Sequence, residues 1–267
     1  MSQNVNTLLK AATNDGVLGA QSLQALNAID PGQEIQQGLG IDIGDVTASE
    51  VILVTLLIDD SGSIRMVGGN SDAVRQGHNG ILAALKATKQ KDSIIVCTRY
   101  FTGTGGQNVL YPYCKLQDAV EMTPQNYNPQ GSTPLYKQSL ITLGLVVSKA
   151  QEFEDNGVSV RSVTAIVTDG ADTDGGATAR DVSKIVTDMR RAEKHIVCGM
   201  GIADGSTDFV QVFESMGIPA NQVLTPSNDP SSIRRAFNAI SQSAVRASQN
   251  AQSFSQMSKA NLGGFGG

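Results

Sequence analysis

The chain is predicted to fold as an α/β protein, a doubly wound, mostly parallel sheet with helices on both faces. Three observations predict this. From Val51 onward, apolar runs of strand length alternate with amphipathic helical stretches. The first of those runs, Val51–Ile58, is almost unbroken Val, Ile and Leu, as in strands covered on both faces. Two of the runs end in a carboxylate, Asp59 and Asp169, at the strand ends where ligand crevices form in such sheets.

The elements follow in order. Residues 1–49 are polar and carry no strong strand. Val17, Leu18, Leu23, Leu26 and Ile29 have helical spacing over Asp15 to Ala28, and Asp30-Pro31-Gly32 ends that stretch. This segment is read as an N-terminal helical extension of one or two helices packed on the main domain. Val51–Ile58 is the first strand. Ser71 to Thr88 is a helix with Ser71 as its cap and Val74, Ile81, Leu82 and Leu85 as its apolar stripe. Ser93–Phe101 and Asn108–Tyr113 are the second and third strands. Leu135–Glu154 is a helix with Leu140, Ile141, Leu143, Val146 and Val147 toward the core. Ser162–Thr168 is a strand, Thr178–Lys194 a helix, His195–Ile202 a strand and Thr207–Met216 a helix. Gln222–Leu224 is a short last strand and Ser231–Arg246 the closing helix. The assumed sheet order is 3-2-1-4-5-6, which makes strands one and four neighbours across the switch point. Their ends then lie about 4.8 Å apart, near enough for their loops to share one ion. The main domain spans 50–249. Residues 250–267 form a Gly/Ser-rich tail, read as flexible rather than as a Gly-Gly conjugation tail.

Composition narrows the function classes. A net charge of −5, with aromatics only 4% of residues, excludes a nucleic-acid footprint and base-stacking surfaces. The N-terminus lacks a basic start followed by an apolar stretch, so no signal peptide is expected. The apolar runs fall well short of the ~20 residues a membrane span needs. Cys97, Cys114 and Cys198 lack zinc or redox spacing and are read as free thiols, which favours a cytoplasmic location. Cys114 is expected in a loop, and Cys97 and Cys198 on strands too far apart to bridge.

The chemistry concentrates in Asp59-Asp60-Ser61-Gly62-Ser63. A strand ends in a carboxylate and two hydroxyls at D-x-S-x-S spacing, hard oxygens suited to magnesium or manganese. Two later segments complete the picture, Gly131-Ser132-Thr133-Pro134 and the strand ending Thr168-Asp169-Gly170. In this order the three segments resemble the metal-ion-dependent adhesion site of von Willebrand factor A domains, over about Glu50 to Gln249. The resemblance implies the Rossmann-like fold of that family. It also implies metal-site positions at Asp59, Ser61, Ser63, Thr133 and Asp169, with hydroxyls binding directly and aspartates mainly through water. A coordination position then remains for a partner's carboxylate. Asp59 is expected at a solvent-facing strand end. Asp60 is expected to orient the loop or add charge at the mouth.

Other residues carry weaker signals. Asp172, Asp174 and Gly175 resemble part of a calcium loop without its full pattern and are read as a polar rim. His78 and His195 lack a visible nucleophile or acid partner and are read as non-catalytic. Arg234, Arg235 and Arg246, with Arg190, Arg191 and Lys194, are read as solvated helix faces.

The expected function is a non-enzymatic, magnesium-dependent adaptor that grips a partner's Asp or Glu. The form Leu57-Ile58-Asp59-Asp60-Ser61-Gly62-Ser63-Ile64 is similar to intracellular prokaryotic members of the family. By that resemblance the partner is an AAA-type ATPase, a kinase or a phosphatase in a stress, tellurite-resistance or defence system, and the chain alone is a monomer. Two alternatives stand beside it. One is a magnesium-dependent phosphatase or hydrolase with Asp59 as nucleophile, although Ser61 stands where a second Asp is wanted. The other is a structural subunit in which the metal only rigidifies loops.

Overall fold

The computed structural model describes residues 5–104 and 107–249. Six strands form one sheet in the order β3-β2-β1-β4-β5-β6. They are β1 (Glu50–Ile58), β2 (Ile94–Thr104), β3 (Gln107–Lys115), β4 (Ser159–Thr168), β5 (His195–Gly201) and β6 (Val223–Leu224). All neighbouring pairs are parallel except β2 with β3, a hairpin that runs antiparallel at one edge. This is the expected doubly wound α/β arrangement. It sets β1 beside β4 over their whole length, from Glu50 opposite Ser159 to Ile58 opposite Val167.

Alternation along β1 divides its side chains between two cores. Val51, Leu53 and Leu57 face one layer, while Ile52, Val54, Leu56 and Ile58 face the other. The second layer is covered by α4 (Asn70–Lys86) and α8 (Pro230–Gln249), which pack on each other. The first is covered by α5 (Leu135–Glu154), α6 (Ala179–Arg191) and α7 (Phe209–Ser215). Helix α5 is buried along nearly its whole length, not only on the stripe expected, because a further layer covers its outer side.

That layer is the N-terminal segment. It contains α1 (Val5–Asn14), α2 (Ala20–Ala28) and α3 (Gly32–Leu39), where one helix from Asp15 to Ala28 was the clearest expectation. Asp15–Gly19 is instead a turn, with Gly16 in the left-handed region at φ 77°, so the helix starts at Ala20. Leu8, Leu9, Leu26, Ile35 and Leu39 join the same core as α5. Backbone and side chain approach closely there: a Cβ on Gly144 would lie 2.8 Å from Leu26. From β2, the buried Arg99 reaches into this layer, donating to the Glu34 carbonyl at 3.0 Å and pairing with its carboxylate at 3.3 Å.

Three smaller expectations also change. Helix α4 begins at Asn70 after Gly69, so Ser71 lies within its first turn and makes no cap. Cys114 lies on β3, not in a loop, and is half-buried; all three cysteines are free. Cys97 and Cys198 sit on β2 and β5 with β1 and β4 between them. His78 is buried with Nε2 3.0 Å from the Tyr111 hydroxyl, and His195 is buried with Nδ1 2.8 Å from the Ser162 hydroxyl. The tail 250–267 lies outside the described residues. Among those residues no helix is long and apolar enough to cross a membrane.

Candidate metal centre

The three motif segments converge at the carboxyl ends of β1 and β4. Asp59 follows β1, and its N–H extends the ladder by donating to the Val167 carbonyl at 2.9 Å. Its side chain is fully buried rather than solvent-facing. The side-chain Oδ1 accepts the Ser61 N–H at 2.7 Å, and Oδ2 accepts the Thr168 hydroxyl at 2.7 Å. Tyr127, also buried, donates its hydroxyl to the Asp59 carbonyl at 2.7 Å. The first carboxylate is thus fixed from both neighbouring segments before any ligand is considered.

Ser61 and Ser63 turn their hydroxyls toward the second carboxylate. The two oxygens lie 2.9 Å apart, and they donate to Asp169 Oδ1 at 3.1 Å and 2.8 Å. Ser61 and Asp169 are buried, whereas Ser63 is exposed and marks the mouth. Ser63 belongs to a single 3-10 helix, Gly62–Met66, that follows Ser61.

The Thr133 segment is joined to the first motif through backbone. The Asp60 carbonyl accepts from the Gln130 and Gly131 N–H groups at 2.8 and 2.9 Å, and Gly62 N–H donates to the Gly131 carbonyl at 3.2 Å. The Asp60 carboxylate accepts from Thr102 N–H and hydroxyl at 2.9 and 3.0 Å. Asp60 therefore ties its own loop to the Gln130–Gly131 segment and to β2, in keeping with the loop-orienting role expected of it. Gly131 is needed for this approach, because a Cβ there would collide with the Thr102 side chain. Thr133 is buried beside Gly170, where a Cβ would lie 3.7 Å from the Thr133 hydroxyl.

The loop after β4 holds the other side. Thr173 hydroxyl accepts the Thr133 N–H at 3.0 Å, and Thr173 N–H returns to the Thr133 carbonyl at 2.9 Å. Asp172 Oδ1 accepts the Tyr136 N–H at 3.0 Å in the first turn of α5. Asp172 is therefore more than a rim residue: it ties the polar loop to the helix that Pro134 precedes. Thr102, Tyr127 and Thr173 escaped the sequence reading. Tyr127 and Thr173 lie within four residues of a motif and Thr102 far from any, but a lone Thr or Tyr carries no spacing signal.

The electrostatics are those of a site short of positive charge. Neither Asp59 nor Asp169 forms an ion pair among the described residues. Burial, followed by the charge of Asp169, pushes the Asp59 carboxyl up to about 7, against the opposing pull of the Thr168 and Ser61 bonds. Burial also raises Asp169, against the Ser63 and Ser61 bonds. Among the described residues no three His, Cys, Asp or Glu side chains converge to hold a metal. The donors present are two carboxylates and three hydroxyls, which fit a hard cation such as magnesium or manganese and not a thiophilic one.

The arginines and lysine outside the site form no common patch. Arg234, Arg235 and Arg246 lie on α8, while Arg190 and Arg191 belong to α6 on the opposite face of the sheet. Arg191 pairs with Asp188 at 2.8 Å and Lys194 with Glu154 at 2.7 Å.

No family model matches the chain, and no curated protein is similar to it in sequence. Solved structures do share the fold. The pilus adhesin SpaC of Lactobacillus rhamnosus GG, in its open conformation, overlays with a TM-score of 0.53 at 15% identity, covering 74% of this chain and 30% of the adhesin. A second structure of the same adhesin gives 0.54 at 14% identity, covering 73% and 31%. The chain thus spans under a third of that protein's length. A von Willebrand factor type A protein from Catenulispora acidiphila overlays more loosely, at 0.44 and 16% identity, covering 74% and 43%. What the SpaC overlays share with this chain is the fold.

Proposed function

We propose that this chain is a protein-binding module of the von Willebrand factor A type, with an adhesion site formed by Asp59, Ser61, Ser63, Thr133 and Asp169. The observation that carries this reading is the convergence of two buried carboxylates, neither in an ion pair among the described residues, with the Ser61 and Ser63 hydroxyls at the ends of adjacent strands. Magnesium, or manganese in its place, would supply an open coordination position for a partner's Asp or Glu. The chain's own residues do the rest. Asp59 fixes the Ser61 backbone, Asp60 and Thr173 position the Thr133 loop, and exposed Ser63 marks the side from which a partner approaches.

The reading is non-enzymatic. A nucleophilic carboxylate must meet its substrate, and the Asp59 side chain is fully buried. The partner is proposed to be an AAA-type ATPase, a kinase or a phosphatase in a cytoplasmic stress or defence system, with the chain monomeric on its own. Free Cys97, Cys114 and Cys198 support a reducing compartment. Manganese titration followed by electron paramagnetic resonance tests the site directly. One ion should bind per chain and be displaced by magnesium. No binding at millimolar manganese would overturn the reading.

A further inference from the structure

Two large apolar side chains stand exposed among the described residues, Met66 at 83% and Val120 at 47%. An isolated exposed apolar side chain is ordinary on a protein surface, so position decides what it means. Met66 ends the 3-10 helix Gly62–Met66, which begins directly after the buried Ser61. In a 3-10 helix residues three apart eclipse one another, with a rise of about 2 Å per residue. Ser63 and Met66 therefore share one face, about 6 Å apart along the axis. Ser63 carries a hydroxyl of the metal centre at its mouth. Ile64, 1% exposed, anchors the helix in the core beneath α4 and fixes which way that face looks. Arg65 is exposed beside it and forms no ion pair among the described residues.

We infer that Met66 is the apolar half of a two-point recognition surface. It fits an extended partner segment that carries an acidic side chain and, two residues away, an apolar one. The inference rests on the metal-dependent reading above and adds the partner's sequence pattern to it. In an extended strand, side chains two residues apart lie on one face about 6.8 Å apart. That matches the spacing from Ser63 to Met66, while adjacent residues point to opposite faces. The unpaired Arg65 complements an acidic segment. An unbranched thioether adapts to several apolar partners, so the surface selects apolar character rather than one residue type. Burying a methionine side chain is worth roughly ten- to hundred-fold in affinity.

The test uses displayed heptapeptides with a fixed central Glu and all other positions random. They are selected on the full chain in magnesium and eluted with chelator. Chelator-eluted clones should be enriched in Leu, Ile, Met, Val or Phe two positions from the Glu, and not at adjacent positions. Met66→Ser should still yield chelator-eluted clones but without that enrichment. A selected peptide, synthesised, should lose about ten-fold or more in affinity for Met66→Ser and keep it for Val120→Ser. Chelator-eluted clones with no positional preference, or a preference that survives Met66→Ser, overturn the inference and leave the metal site standing. No chelator-eluted clones from the wild type overturn both.

Discussion

Replacing Asp59 with Asn should stabilise the metal-free protein at alkaline pH, and the gain should shrink on acidification. Asp59 is fully buried, and its carboxyl is pushed from 3.8 to about 7, mainly by burial and then by Asp169. A carboxyl whose folded pKa is raised holds its proton in the fold when the unfolded chain has released it. Stability contributed by this group therefore falls as pH rises from about 4 to about 7, and levels off above that. At 1.36 kcal/mol per pH unit of difference, the ionised form costs about 4 kcal/mol at pH 8 and about 2 kcal/mol at pH 5. Asn carries no charge and so escapes that cost.

The substitution has its own cost, about 1 kcal/mol for an imperfect hydrogen-bond match. The amide carbonyl can accept the Ser61 N–H, and its NH₂ can donate to Thr168, whose hydroxyl can turn to the Gly170 carbonyl 3.0 Å away. Asn is therefore the right probe. Ala would leave the Ser61 N–H without its side-chain partner and open a cavity. Urea unfolding in metal-free buffer at about pH 5 and about pH 8 measures the effect. The advantage of Asp59→Asn over wild type should grow by about 2 to 3 kcal/mol between the two. Both histidines titrate alike in the two proteins and cancel. An advantage equal at both pH values, or a variant less stable than wild type at the higher one, would refute the reasoning. Magnesium should then narrow the gap at pH 8. Binding at a hundred times Kd adds about 2.7 kcal/mol to the wild type, and the variant should gain less.

Thr133→Ala should lower manganese affinity about ten-fold or more while costing only about 1 kcal/mol of stability, since the Thr173 bonds are to its backbone; paired metal and urea titrations check both. Gly131→Ala should cost about 1 to 3 kcal/mol and weaken metal binding, because its Cβ meets Thr102, whereas Ser132→Ala next to it is exposed and should change stability by under about 0.5 kcal/mol. His195 is held down to about 4 by burial and then by Lys194. Its contribution is full above about pH 6.5 and lost as pH falls toward 4, so His195→Gln should remove about 3 kcal/mol of the acid-induced loss in a pH series of urea midpoints.

Within the main domain, sequence and structure agree where a signal is local and periodic, and part where it depends on what packs outside an element. The unbroken apolar run of β1 and the helical stripe of α5 are such signals, and α5 spans the expected Leu135–Glu154. Motif spacing is a local signal of the same kind: Ser61 and Ser63 are two residues apart, and both reach Asp169. The N-terminal layer was harder. Helices α1 and α3 are short, and their apolar residues make sense only against the outer side of α5, which no local pattern reveals. The depth of Asp59 was hidden similarly. A carboxylate at a strand end ordinarily meets water, but here Asp59 is fully buried, with Tyr127 on its carbonyl and Thr168 on its carboxylate, and both come from distant parts of the chain. That burial gives the site its character. A solvated Asp59 would ionise without cost, whereas a buried one beside Asp169 is held in a state that, on the proposed reading, a divalent ion would relieve. The residues that no motif marks, Tyr127, Thr102 and Thr173, hydrogen-bond to the marked segments at Asp59, Asp60 and Thr133. Tyr127→Phe offers a direct check. Loss of its 2.7 Å bond to the Asp59 carbonyl should loosen the strand end and weaken manganese binding, although the ring remains to fill the core. Unchanged affinity would show that Asp59 is positioned by its own side-chain bonds alone.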